Sequence, residues 1–116
     1  MLLSRTMTPP AGTFLGKARD GAIQFPRPLR EFCEASGWTL FRVTPVDDSR
    51  LEMRPVMPED TELEFHSSLS AEGVLWIPAA TRSAVALGEH SVMLRVEGGS
   101  IQVYLRKVFE TLGFRP

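Results

Sequence analysis

Asp20-Gly21-Ala22-Ile23-Gln24-Phe25-Pro26-Arg27-Pro28-Leu29-Arg30 and Glu72-Gly73-Val74-Leu75-Trp76-Ile77-Pro78-Ala79-Ala80-Thr81-Arg82 stand 52 residues apart and share one pattern. Each reads acid, glycine, small apolar, large apolar, any residue, large apolar, proline, three residues, arginine. The correspondence continues downstream. Gly37 aligns with Gly88 at offset 51, and Thr39, Phe41, Arg42 and Val43 align with Val92, Leu94, Arg95 and Val96 at offset 53. Leu51 and Met53 align with Ile101 and Val103 at offset 50. Shifts of this size belong in turns, where a change of loop length costs little. A unit of some forty residues buries too little surface to fold alone, so two such units in one chain are expected to share one core.

Each copy has the same local reading. Gly21 and Gly73 suit turns that need positive φ. Ile23/Phe25 and Leu75/Ile77 alternate at period 2, the mark of a half-buried strand. Pro26 and Pro78 end those strands, because proline has no N–H for the ladder. A short helix follows: Pro28 suits an early helical position, and Leu29, Phe32 and Cys33 share one face. The second helix, around Thr81 to Leu87, is expected to use Ala84, Val85 and Leu87, with Gly37 and Gly88 as the two helix terminators. A hairpin closes each copy. The first runs Trp38–Thr44, a turn through Asp47-Asp48-Ser49, then Leu51–Met53. The second runs Val92–Val96, a turn at Gly98-Gly99, then Ile101–Leu105. Leu63 and Phe65 are expected to open a strand into the second copy.

The reading is therefore mainly β with short helices (α+β), two repeats forming one domain over 13–116. Residues 1–12, with Pro9-Pro10 and Gly12, form a flexible arm. The first repeat spans 13–57, a connector 58–64, and the second repeat 65–106. A C-terminal helix or tail occupies 107–116, with Val108, Phe109 and Leu112 at one-face spacing.

Composition narrows the function classes. The chain has 116 residues, 43% hydrophobic and 23% charged, and a net charge of −1. It lacks an apolar run of membrane-helix or signal-peptide length, so a cytoplasmic location is expected and no membrane partner. Cys33 is the single cysteine, which rules out an internal disulfide. Charge is uneven: residues 1–58 carry +2 and residues 59–116 carry −3. Lys17, Arg19, Arg27 and Arg30 face only Asp20 within 13–30, so a phosphate-binding face is expected in the first half.

The repeated Gly-x-x-x-(Phe/Ile)-Pro-x-x-x-Arg, followed by a short helix and an apolar hairpin, resembles the SpoVT/AbrB superfamily. The resemblance covers roughly residues 14–110 and is nearest to the two-repeat MraZ-type proteins. Its better half runs from Gly73 to Tyr104 and includes Ile77-Pro78, Arg82, Val92-x-Leu94 and Ile101-x-Val103-Tyr104. It implies a swapped-hairpin barrel, homo-oligomeric assembly and transcriptional regulation by DNA binding. The match departs from the family at its contact motif. MraZ-type repeats carry Asp-x-x-x-Arg with a glycine before the arginine; here the Asp positions are Ala18 and Ser70, and the Arg positions are Ala22 and Val74. Arg30 and Arg82 do match family basic positions. Lys17, Arg19 and Arg27 are substitutes in the first copy, where the second has Leu69, Ala71 and Ala79.

Lys17, Arg19, Arg27 and Arg30 are thus the expected DNA contacts, through phosphates rather than base edges. For Arg30 and Arg82 the competing role is to hold the fold by pairing with acidic neighbours. The alternative function is an oligomeric protein-interaction module of the same fold. Trp76 would be its anchor, with Val108, Phe109 and Leu112 as further interface residues; Trp76 equally suits covering the core from the strand's other side. Enzymatic readings find no support, and neither cofactor nor small-molecule substrate is expected. His66 and His90 lack metal-ligand spacing, and Cys33 sits on an apolar helix face. Asp47-Asp48 is turn chemistry. Glu59, Asp60, Glu62 and Glu64 lack the order of a calcium loop, and no glycine-rich phosphate loop is present.

Overall fold

The computed structural model describes residues 12–57, 66–85, 87–88 and 91–105. The expected arm before Gly12, the connector 58–64, the strand start at Leu63 and Phe65, and the C-terminal helix with Val108, Phe109 and Leu112 lie outside the described residues. The chain is mostly β. Its elements run β1 (Phe14–Arg19), β2 (Ala22–Gln24), α1 (Arg27–Ser36), β3 (Leu40–Asp47) and β4 (Arg50–Pro55). They continue as β5 (Ser67–Ser68), β6 (Val74–Trp76), α2 (Ala79–Ala84), β7 (Ser91–Glu97) and β8 (Ser100–Tyr104).

The eight strands form one antiparallel sheet in the order β5-β3-β4-β8-β7-β1-β2-β6. Its two ends meet through an antiparallel bridge between Leu69 and Leu75, which nearly closes a barrel. Closure of this kind removes the unpaired edges that invite aggregation. The order interleaves the two halves of the chain: β1 pairs with β7, and β5 pairs with β3. At the centre of the β2–β6 ladder Ile23 faces Leu75. At the centre of the β4–β8 ladder Glu52 faces Gln102.

Local chemistry explains the elements. Asp20 and Gly21 both have positive φ, 54° and 80°, and form the two-residue turn between β1 and β2. Gly98 and Gly99 repeat that solution between β7 and β8. Asp48 and Ser49 join β3 to β4, and Asp47 Oδ1 accepts from both the Ser49 backbone N–H (2.9 Å) and its hydroxyl (3.1 Å). The Ser49 backbone N–H is the main reason the Asp47 carboxyl lies below its ordinary pKa of 3.8.

Helix α1 begins with Arg27 and Pro28 and buries Leu29, Phe32 and Cys33. Gly37 ends it in the left-handed conformation, and the Trp38 N–H closes the cap on Cys33 O at 2.8 Å. That cap seats the Trp38 ring edge-on to Phe32, 5.1 Å between centroids. The second helix departs from expectation. It spans only Ala79–Ala84, and the backbone at Val85 is already extended, so Gly88 is not its terminator. The buried helical residue is Thr81, while Val85 and Leu87 pack on the core from beyond the helix. A β-branched valine loses side-chain freedom in a helix, and four residues of Ala-Thr-Arg-Ser type give the segment little apolar face to extend it.

The core joins both halves. Ile23, Phe25, Leu75 and Ile77, all read as inward-facing, are buried together with Leu29, Phe41, Leu51, Met53, Val92, Leu94, Ile101 and Val103. Each such side chain contributes roughly 1.5–3 kcal/mol by leaving water.

Candidate nucleic-acid interface

Alternation on β1 places Lys17 and Arg19 on the outer face, both exposed, with Ala18 buried between them. Register carries this face across two more strands. Lys17 stands opposite Gln24, which stands opposite Val74; Arg19 stands opposite Ala22, which stands opposite Trp76. An open depression of about 240 Å³ lies on this surface. Lys17, Arg19 and Asp20 line it from β1 and its turn, Ala22 and Gln24 from β2, and Val74 and Trp76 from β6. Arg19 Nε lies 3.7 Å from Asp20 Oδ2, a loose and exposed pair. Among the described residues Lys17 has no ion-pair partner.

The four expected basic contacts separate into three environments. Lys17 and Arg19 share the depression. Arg27, at the start of α1, pairs with Glu31 one turn on at 3.0 Å. Such exposed pairs are weak, so the guanidinium remains available to a stronger anion. Arg30 is engaged in the fold. Its Nη1 donates to the Glu72 carbonyl at 3.3 Å, and its aliphatic stem lies against Gly73. Arg82 is its counterpart: Nε donates to the Ile77 carbonyl at 3.1 Å, and the side chain lies against Gly21. Both arginines use main-chain carbonyls, so the expected pairing with acidic neighbours is replaced by bonding to the backbone. Carbonyls 42 and 5 residues away in sequence carry no charge signal that composition alone would reveal.

Trp76 is 60% exposed, whereas its strand neighbours Leu75 and Ile77 are 0% and 2% exposed. The indole therefore points away from the core. Leu15, on the same outer face of β1, is also exposed and stands opposite Met93.

A second basic feature lies elsewhere on the outer face. Arg42 on β3 stands opposite Arg54 on β4, with both side chains exposed. Like charges opposite one another disfavour a strand pair. Glu52 relieves this one by accepting from Arg54 Nη2 at 3.1 Å. The two arginines are twelve residues apart in sequence. Only the register set by the Asp48-Ser49 turn makes them neighbours, which is the signal that would have found them.

Burial pushes the Cys33 thiol up to about 12, so it stays protonated and unreactive at neutral pH. Among the described residues no three His, Cys, Asp or Glu side chains gather into a metal-sized cluster. No described helix is long and apolar enough to cross a membrane. No protein-family model matches the chain, and no curated protein matches it closely enough to count as a relative.

Proposed function

We propose that this chain is a non-enzymatic, DNA-binding transcriptional regulator built on an AbrB/MraZ-like scaffold, with Lys17 and Arg19 as its principal phosphate contacts. One observation carries the reading: the two cations stand side by side on an exposed strand face, lining one depression. The β-β-α-β-β order that occurs twice supports the scaffold. So do the reciprocal backbone bonds Phe25 N–H to Gly73 O (2.8 Å) and Ile77 N–H to Gly21 O (2.9 Å). In this reading the halves are diverged copies that exchange strands in swapped-hairpin fashion. Homo-oligomerisation would multiply a modest set of phosphate contacts by avidity.

Binding to random-sequence and upstream duplex DNA across a salt series tests the reading. Affinity should fall linearly on a log–log plot, and Lys17→Ala and Arg19→Ala should each lower the slope by about 0.9. Arg27→Ala should weaken binding less, because Glu31 already competes for that guanidinium. Absence of binding at low salt would sink the proposal.

The outward Trp76 favours a second reading, an oligomeric protein-interaction module anchored by that residue. Native mass measurement of wild type and Trp76→Ala separates the two. A smaller assembly in the variant supports the module, whereas an unchanged assembly removes Trp76 as its anchor.

A further inference from the structure

We propose that the depression between Lys17, Arg19 and Trp76 holds an unpaired nucleobase, so that the preferred ligand of this face is single-stranded or locally opened nucleic acid. The inference rests on the nucleic-acid reading above and narrows it.

Trp76 is the starting point. Leu75 and Ile77 already serve the core from the strand's inner face, and the residue 52 positions earlier, Gln24, is polar. The exposed indole therefore contributes little to burial, yet it presents a rigid π-surface to solvent. Beside it lies Ala22, its ladder partner, whose side chain is too small to fill the space between Trp76 and Arg19. The resulting depression, about 240 Å³, is smaller than the roughly 300–1,000 Å³ pockets that enclose whole small-molecule ligands. It offers room for a ring system rather than for a complete cofactor.

The cations stand on the other side. Lys17 and Arg19 lie on β1, two strand spacings from Trp76 on β6, which is about 10 Å. That arrangement places a stacking surface and phosphate partners within the span of one nucleotide and its flanking phosphates. Magnitudes favour a single strand over a duplex. Two cations, one of them beside Asp20, neutralise too few phosphates to hold a duplex tightly. Stacking of a base on an aromatic side chain supplies a comparable contribution without reading sequence. In an intact duplex the base faces are already stacked on each other, so only an unpaired base can use Trp76.

The test is fluorescence anisotropy at about 50 mM salt, with a labelled dT oligomer of about 15 nucleotides and a duplex of the same length. Wild type should bind the single strand more tightly than the duplex. Trp76→Ala should weaken single-strand binding roughly 5- to 100-fold and leave duplex binding unchanged. Trp76→Phe should retain most of the affinity, because the aromatic face is kept. The oligomer should quench tryptophan emission in wild type but not in Trp76→Phe, which retains only Trp38. Both variants alter an exposed side chain, and their melting temperatures should match wild type. Unchanged single-strand affinity in Trp76→Ala, combined with a loss in the Lys17→Ala/Arg19→Ala double variant, overturns base stacking and leaves phosphate binding standing. No binding of either nucleic acid by wild type overturns both readings. A change of assembly state in Trp76→Ala without any effect on nucleic-acid affinity assigns the residue to protein contacts and overturns the proposal.

Discussion

Arg82 lies across Gly21: a methyl group placed on that glycine would stand 3.0 Å from Arg82 Nη1. The same relationship holds in reverse, where a methyl group on Gly73 would stand 3.0 Å from the Arg30 side chain. Both glycines have positive φ, 80° and 87°. Alanine at either position therefore meets two costs, the left-handed backbone and the displaced arginine. Gly21→Ala and Gly73→Ala should each destabilise the fold by roughly 1–2 kcal/mol or more, measured by denaturant unfolding. Arg30→Ala should cost about 0.5–1.5 kcal/mol through its lost carbonyl bond and stem packing. A large loss of DNA affinity in Arg30→Ala at unchanged stability would assign Arg30 to the nucleic acid rather than to the fold at Gly73.

Ile23 and Leu75 face each other at the centre of the β2–β6 ladder, and both are fully buried. Each comes from a different half of the chain, so their contact is one place where the halves depend on each other. Ile23→Ala and Leu75→Ala should each destabilise by about 2–5 kcal/mol, according to how far the cavity collapses. Because the residues are in contact, the double variant should depart from additivity by about 0.5 kcal/mol or more. A single two-state transition in both single variants is expected, since neither half has a core of its own. Two separate transitions would mean that the halves fold independently.

Much of this architecture was legible because it is written in short-range chemistry. Asp20-Gly21 and Gly98-Gly99 declare two-residue turns. Pro26 ends a strand, and Leu29, Phe32 and Cys33 mark a helical face. The apolar residues Ala84, Val85 and Leu87 suggest a longer second helix, whereas the backbone is already extended at Val85, and Val85 and Leu87 pack against the core from beyond the helix. The barrel order was not legible from pattern alone, since the pairing of β1 with β7 joins residues more than 70 positions apart. Charge clustering groups Lys17, Arg19, Arg27 and Arg30, but it does not distinguish Lys17 and Arg19, which share a strand face, from Arg30, which bonds to the fold. That arginine's partner is a carbonyl, and carbonyls are identical in every residue. The period-2 position of Trp76 on β6 fits either an outward indole or one that covers the core from the other side, and its 60% exposure decides for the outward one. Its nearness to Lys17 and Arg19 required the intervening strand β2.

Glu52 organises a small polar network at the β4–β8 ladder. Its Oε2 accepts from Arg54 at 3.1 Å, from Ser100 Oγ at 3.3 Å and from Gln102 Nε2 at 3.3 Å. Ser100 and Gln102 are buried, 2% and 9% exposed, so their polar atoms have little access to water. Glu52→Ala removes a charged acceptor and should destabilise by about 1–3 kcal/mol through the lost charge-assisted bonds, while Ser100 Oγ keeps the Glu97 carbonyl (3.2 Å) and Gln102 Nε2 keeps Ser100 Oγ (3.1 Å) as partners. Arg54→Ala touches only the exposed end of the network and should cost under about 1 kcal/mol. Equal losses in the two variants would shift the importance from the buried donors to the surface ion pair.

Cys33 gives the fold an alkaline limit. Burial raises its thiol pKa to about 12 in the folded chain, against an ordinary value of 9.0. Below pH 9 the thiol is protonated in both folded and unfolded chains and contributes no pH dependence. Between about 9 and 12 the unfolded chain releases the proton first, so it binds fewer protons than the folded chain and stability falls as pH rises. Cys33→Ala removes the titrating group but leaves a small cavity, so it should lower stability at neutral pH while flattening the decline above pH 9. Denaturation midpoints measured from pH 7 to 11 give both slopes. In the native protein at pH 8 the thiol should react with an alkylating reagent only as fast as the structure opens, and denaturant should release full reactivity. Rapid modification of the native thiol would contradict its burial, and parallel pH slopes in wild type and Cys33→Ala would assign the alkaline decline to another group.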